Sequence, residues 1–213
     1  MDLTVCKTFT SLLGETTLSG LPAFFIRLSG CNLRCRYCDT THAYEGGEVR
    51  QVESLVQAAR NSVSRLVLVT GGEPLLQEGS RTLLHELLSV GLEVLLETNG
   101  SLPLRGVDTR VRRIVDVKCP GSGMSGHNFW ANLEILTPHD EVKFVICDKE
   151  DFTWAVSVAE RYRLPERLPV LISPAFGALS LPEVAAWILQ SGHPLRLNLQ
   201  LHKYIWGSEA RGV

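Results

Sequence analysis

Seven short apolar runs punctuate the chain, at residues 23–28, 65–69, 92–97, 113–117, 141–146, 169–172 and 195–200. Most are dense in Val, Ile, Leu or Phe, the composition of strands buried on both faces. Amphipathic stretches with helical spacing lie between several of them, at 52–64, 80–90, 151–162 and 181–190. Strands and helices in alternation predict βα units on a parallel sheet, an α/β fold. Six or seven strands fall short of the eight that close a full (β/α)8 barrel. The pattern therefore predicts a partial, (β/α)6-type TIM-like barrel with parallel strands, residues 1–213 forming a single domain. An open doubly wound sheet is the alternative, although no Gly-x-Gly-x-x-Gly turn follows a strand. Residues 118–140 break the rhythm, with Cys119-Pro-Gly-Ser-Gly-Met-Ser-Gly126 and no clear element before residue 128. A long irregular connection of this kind reads as a mobile lid over a site, or as simple disorder.

Composition narrows the class. The 213 residues are 45% hydrophobic and 21% charged, ordinary for a globular protein, and a net charge of -2 supplies no basic field for nucleic acid. No stretch approaches the roughly 20 apolar residues of a membrane span. The first ten residues lack the basic start and apolar run of a signal peptide. The expectation is a cytoplasmic protein with no nucleic-acid or membrane partner. Six cysteines in such a chain argue for metal binding or catalysis rather than disulfides.

Cys6, Cys119 and Cys147 stand singly and read as small buried hydrophobes. Cys31, Cys35 and Cys38 instead form a Cys-x3-Cys-x2-Cys run. Three thiolates can wrap one metal centre, but a structural zinc ion and an ordinary iron–sulfur cluster each take four ligands. A three-cysteine cluster leaves one iron open to something else. The polar ends of the predicted strands supply its surroundings, as expected where a parallel barrel binds ligands. Thr70-Gly-Gly-Glu-Pro74 follows the second strand, Glu97-Thr-Asn-Gly100 the third and Asp116-Val-Lys118 the fourth, with Ser173-Pro174 after the sixth. Two glycines admit a ligand close to the backbone, and Glu73 offers an anion to an ammonium group.

The cysteine triplet, the aromatic Tyr37 before its last member and Gly71-Gly-Glu-Pro74 together resemble the radical S-adenosylmethionine superfamily. The resemblance implies a [4Fe–4S] cluster held by Cys31, Cys35 and Cys38, with S-adenosylmethionine chelating the open iron. One electron then cleaves the sulfonium and releases a 5′-deoxyadenosyl radical. A narrower resemblance covers nearly the whole chain. Ser11-Leu-Leu-Gly-Glu15, Gly20-Leu-Pro-Ala-Phe-Phe-Ile-Arg-Leu-Ser-Gly-Cys31, Asp116-Val-Lys-Cys-Pro-Gly-Ser122 and Gln200-Leu-His-Lys-Tyr-Ile-Trp206 are similar to the 7-carboxy-7-deazaguanine synthase family. That implies a radical lyase of 7-deazapurine (queuosine) biosynthesis. It contracts 6-carboxy-5,6,7,8-tetrahydropterin to 7-carboxy-7-deazaguanine, loses ammonia and regenerates S-adenosylmethionine, with Mg2+ assisting.

Carried over residue by residue, the resemblance implies that Arg27 pairs with the substrate carboxylate, its planar fork suiting that task. Thr40 would place a hydroxyl on Mg2+, a hard ion that prefers oxygen ligands. Thr70 and the backbone of Leu12, Leu13 and Gly14 would hold the pterin, within a substrate-side segment of residues 1–22. Tyr37, Cys38, Asp39, Gly72, Glu73, Asp116, Lys118, Ser173 and Phe176 would hold S-adenosylmethionine. Residues 200–213 would close over the site, His202 and the terminal carboxylate of Val213 reaching substrate. An electron donor such as flavodoxin or ferredoxin and a homodimer are implied as partners. Two departures stand out: Leu13 and Thr16 replace the family's usual Gln and Gly, and Thr16 implies a different loop shape. Without the family, Arg27 reads as a salt-bridged strand residue, Thr40 as a cap and His202 as part of a solvated tail. Two other functions compete. A glycyl-radical activating enzyme shares the triplet but normally acts on a protein, and no second cluster domain is present. A non-catalytic zinc protein would add a histidine such as His42, leaving residues 71–74 and Arg27 unexplained.

Overall fold

All seven apolar runs become strands of one nine-stranded sheet in the computed structural model, which describes residues 1–212. They are β2 (Pro22–Leu28), β4 (Leu66–Gly71), β5 (Glu93–Thr98), β6 (Arg112–Asp116), β7 (Glu141–Ile146), β8 (Val170–Pro174) and β9 (Leu195–Leu197). Each pairs in parallel with the next, so strand order follows chain order as in a barrel and never reverses as in a doubly wound sheet. Two further strands escaped the sequence reading. β1 (Asp2–Leu12) pairs antiparallel with β2 and with β3 (Glu48–Gln51), extending the sheet at one edge. β1 is too rich in Thr and Lys to form an apolar run, and β3 is four exposed or half-exposed residues. The edges β3 and β9 do not pair with each other, so the barrel is open.

Helices cover the outer face: α1 (Val52–Arg60), α2 (Gly79–Ser89), α3 (Ala131–Glu134), α4 (Lys149–Arg161) and α5 (Leu181–Ser191), while α6 (Leu201–Trp206), at the tail, lies over the polar strand ends. In α1, Val52, Leu55, Val56 and Ala59 are buried, the i, i+3, i+4, i+7 stripe that packs a helix on a sheet. α4 starts where Asp148 accepts a bond from the Asp151 N–H at 2.8 Å, satisfying a donor that the helix leaves orphaned. The strict βα alternation fails once, because β5 and β6 are joined by a loop without a helix. Residues 118–140 form no open lid in this structure. Asn128 pairs with the backbone of Lys118 in both directions, Asn132 bonds Gly100, Leu102 and Leu104, and Cys119, Leu133 and Leu136 lie in the core. No helix is long and apolar enough to cross a membrane among the described residues.

The two faces of the strands differ. Outward residues such as Ile26, Val67, Val69, Leu96 and Val115 join the main core beneath the helices. Inward residues Phe25, Leu68, Leu95 and Ile114 form a smaller cluster that plugs the barrel floor with Leu13 and Ala23. Two residues further along the same strands, on the same face because side chains alternate with period two, stand Arg27, Thr70, Glu97 and Asp116. The inward face thus changes from apolar to polar toward the carboxyl ends.

Candidate active site

These polar ends surround a cavity of about 940 Å3. The cysteine loop forms its roof. The loop is shaped by Gly30 N–H on the Ala43 carbonyl (2.9 Å), Arg36 N–H on the Ser122 carbonyl (3.1 Å) and Cys38 N–H on the Cys35 carbonyl (3.2 Å). Arg34 donates to the carbonyls of Cys31 and Leu33, each at 2.8 Å, with its guanidinium 4.2 Å over the Tyr44 ring. Residues 118–140 therefore buttress this loop from outside through Ser122, and of that segment only Lys118 lines the cavity. Gly72 passes so close beneath that a Cβ there would lie 2.6 Å from the Gly30 carbonyl carbon and 2.8 Å from Cys31 Cβ. Only glycine fits that crossing.

Cys31, Cys35 and Cys38 all line the cavity. Cys31 sulfur receives the Leu33 N–H at 3.4 Å and the Asn99 amide at 3.8 Å. Burial pushes the Cys35 thiol up, opposed by the Lys118 ammonium. Among the described residues, no three His, Cys, Asp or Glu side chains converge on a position for a single ion. The zinc reading needs four ligands around one ion, whereas a cubane cluster takes one thiolate on each of several irons. Tyr37 and Asp116 both line the cavity, while the Tyr37 hydroxyl and Asp116 Oδ1 themselves are buried away from it and unpartnered among the described residues. Three free thiols on one wall, with the glycine crossing beneath them, are what a metal cluster and a ligand beside it fit.

Across the cavity, Arg27, Thr70, Asp116 and Lys118 stand at the strand ends, as expected from the sequence. Gly72, Ser173 and Phe176 also line it, Ser173 accepting a 2.8 Å bond from Asn198. Thr40 lines it too and donates to Asp39 at 3.0 Å. Glu73 is the exception. Its side chain is fully buried outside the cavity, accepting from Leu75 N–H, Asn99 N–H and the Thr98 hydroxyl at 2.7–2.9 Å. Those bonds fix the turn after β4. Val213 lies outside the described residues.

The N-terminal loop and the tail close the remaining side. Leu13 is 1% exposed and sits in the barrel-floor cluster, its N–H and carbonyl paired with Leu21 and Gly20 at 2.8 Å. Leu12 and Gly14 border the cavity, and the Gly14 carbonyl takes the Leu201 N–H at 2.8 Å. His202 packs on Gly14, where a Cβ would lie 2.8 Å from the imidazole Cγ. Burial holds His202 below the usual imidazole value, against Glu15 and Asp39. Thr16 adopts a left-handed conformation (φ 78°), the option that its standing in place of glycine was expected to remove. That conformation costs a non-glycine residue about 1–2 kcal/mol. Asn198 accepting the Thr16 N–H, and the Thr16 hydroxyl accepting the Leu18 N–H, both at 3.0 Å, hold it there.

Sequence reasoning missed a buried ion cluster. Lys143, on β7, donates to Glu15 at 2.8 Å and to Glu97 in a very short contact, with Asp116 3.8 Å away. Burial works against the charge on Lys143, but the three carboxylates outweigh it and raise its pKa well above the ordinary value. Burial also raises the Glu97 carboxyl, yet Lys143 brings it below the usual range. Asp39 is lowered too: burial opposes, while bonds from Lys203 (2.5 Å) and Gln200 (3.0 Å) prevail. The available signal was one lysine inside the otherwise apolar run Val142-Lys-Phe-Val-Ile146.

An open parallel barrel with three cysteines on the loop after its first parallel strand and a polar ring at the strand ends defines a radical S-adenosylmethionine protein. Residues 25–164 match the family model described as Radical SAM superfamily. A [4Fe–4S] cluster and S-adenosylmethionine are the cofactors this membership implies. Within it, the chain belongs to the 7-carboxy-7-deazaguanine synthase family. It is 40% identical to the 7-carboxy-7-deazaguanine synthase of Chlorobaculum tepidum over 99% of this chain and 97% of that protein. It is 38% identical to the one from Koribacter versatilis over 98% and 99%. The crystal structure of QueE from Escherichia coli shares the fold, with TM-score 0.77 at 22% identity over 93% of this chain and 94% of that one.

Proposed function

We infer that this chain is a 7-carboxy-7-deazaguanine synthase, a lyase that contracts 6-carboxy-5,6,7,8-tetrahydropterin to 7-carboxy-7-deazaguanine with release of ammonia. The observation that carries the reading is a single cavity in which the three-cysteine loop faces Arg27, Thr70, Glu97 and Lys143. When bound, the cluster and S-adenosylmethionine supply a carbon radical that removes a hydrogen atom from substrate. The protein's own work is to hold and orient. Cys31, Cys35 and Cys38 are the cluster ligands in this reading. Tyr37, Asp39, Gly72, Asp116, Lys118, Ser173 and Phe176 form the S-adenosylmethionine side, supported by their lining the same cavity as the three cysteines. Arg27 forks onto the substrate carboxylate, Thr70 and the loop of Leu12, Leu13 and Gly14 border the pterin, and His202 closes over it. The Thr40 hydroxyl and cavity water would serve Mg2+, which keeps several non-protein oxygens.

The same reading assigns a one-electron donor such as flavodoxin or ferredoxin, a cytoplasmic setting where thiols stay reduced, and a homodimer. Exposed Leu189 on α5 and Leu197 on the open edge β9 offer apolar surface for a second copy. The test is turnover. Reconstituted protein with reductant, S-adenosylmethionine, Mg2+ and the carboxytetrahydropterin should form the deazaguanine without net loss of S-adenosylmethionine. Accumulation of 5′-deoxyadenosine in step with product would refute the regenerating reaction, and absence of product would refute the assignment.

A further inference from the structure

An ammonium has three N–H donors, and Lys143 faces three carboxylates from three different elements: Glu15 on the loop after β1, Glu97 ending β5 and Asp116 ending β6. The Lys143 side chain is 5% exposed, whereas Glu15 and Glu97 are 18% and 26% exposed and line the cavity. The second oxygen of Glu97 receives the Thr70 hydroxyl at 3.1 Å, and the second oxygen of Glu15 receives the Gln200 amide at 3.1 Å. Lys118 covers Asp116 at 2.8 Å. Arg27 and His202 are the further charged or titratable groups near Glu97 and Glu15. Lys143 is thus the cation that ties the N-terminal loop to the barrel at the pterin-facing wall. Removing one member of a buried ion cluster leaves the others uncompensated.

We propose that Lys143 is a positioning residue: its ammonium holds the Glu15 and Glu97 carboxylates aimed into the cavity, so that the substrate meets a fixed pair of carboxylates. The proposal deepens the synthase reading and rests on it for the identity of the substrate. It concerns the pterin side of the cavity and leaves the cysteine loop untouched.

The experiment pairs kinetics with a direct titration in the reconstituted enzyme. The Glu97 carboxyl is followed by carbon NMR and assigned by its loss in Glu97→Gln. In the wild type its midpoint lies below the ordinary glutamate value. In Lys143→Met, burial and two neighbouring carboxylates then disfavour the anion, and the midpoint rises by about one pH unit or more. The acidic limb of kcat/KM moves up with it, and kcat/KM at neutral pH falls about 100-fold, the usual cost of misplaced groups. Lys143→Arg restores the limb while leaving kcat reduced, because a planar fork cannot serve three carboxylates as a point charge does. A folded Lys143→Met protein with an unmoved Glu97 midpoint overturns the proposal, as does wild-type turnover in that variant. Should Lys143→Met fail to fold, Lys143→Arg decides: a wild-type kcat overturns the positioning role, a reduced kcat with a low Glu97 midpoint supports it. If the wild type forms no deazaguanine, the synthase reading fails, and the NMR titration still decides the role of Lys143.

Discussion

Gly72→Ala tests whether the turn after β4 sets the shape of the cysteine loop. The added methyl would stand 2.6 Å from the Gly30 carbonyl carbon, closer still to its oxygen, and 2.8 Å from Cys31 Cβ. These neighbours are backbone and the first side-chain atom of Cys31, so no flexible side-chain end can yield. The loop itself must move by several tenths of an ångström. That movement strains the 2.7 Å bond from Glu73 N–H to the Gly30 carbonyl, which joins the loop to the end of β4. Overpacking costs about 1–3 kcal/mol, and a lost hydrogen bond adds about 1 kcal/mol. The sum, roughly 2–4 kcal/mol, lowers Tm by about 4–16 °C for a domain of this size. Iron per chain after anaerobic reconstitution should fall more steeply than stability, because the displaced residue adjoins Cys31. Calorimetry and iron analysis on the same sample give both numbers. A variant with wild-type Tm and full iron would refute the claim that Gly72 shapes the loop.

Three further outcomes follow from the same geometry. Gly14→Ala pushes against the His202 imidazole and the Leu201–Gly14 bond, so α6 should exchange amide hydrogens faster and KM for the pterin rise about tenfold, about 1.4 kcal/mol; unchanged exchange in α6 would contradict it. Asp140→Asn leaves Arg113, 2% exposed and bonded to Asp140 at 2.5 and 2.9 Å, as an unpaired buried charge, costing about 3–5 kcal/mol in urea melts at pH 7. Burial raises the Asp140 carboxyl, but Arg113 and Thr137 hold it below its ordinary value. The pair's contribution is therefore present above about pH 3.9 and is lost as pH falls through the lowered value. The gap between wild type and Asp140→Asn should narrow on acidification, and a constant gap would refute the linkage. Thr40→Ala should reduce turnover and its response to Mg2+ while iron content stays whole, and an unchanged Mg2+ response would remove Thr40 from the metal site.

Much of the site was legible because its chemistry is local in sequence. Cys31, Cys35 and Cys38 share one loop, and the strand-end residues Thr70, Asp116, Lys118 and Ser173 follow apolar runs that period and composition reveal. The burial of Glu73 was not legible, because an acid beside two glycines at a strand end carries no mark of which way its side chain turns. Its direction came from the Thr98 hydroxyl and the Asn99 amide, about 25 residues away in the chain. Thr16 did mislead. Residue type argued against a left-handed conformation, and contacts from Asn198 across the barrel impose it. Residues 118–140 looked structureless because their order comes from Asn128 and Asn132 bonding distant backbone rather than from any period.

The sequence by itself determined the parallel strands, the outer helices and the three-thiol loop, since burial periodicity and cysteine spacing act over a few residues. Tertiary structure alone decided the antiparallel edge of β1 and β3 and the convergence of Glu15, Glu97 and Asp116 on Lys143. Those four residues are scattered over more than half the chain, and only the packing of the N-terminal loop against the ends of β5, β6 and β7 brings the three carboxylates within 3.8 Å of the Lys143 ammonium. In the low-dielectric interior each such charge is tolerable only beside the others. No stretch of sequence contains that mutual dependence.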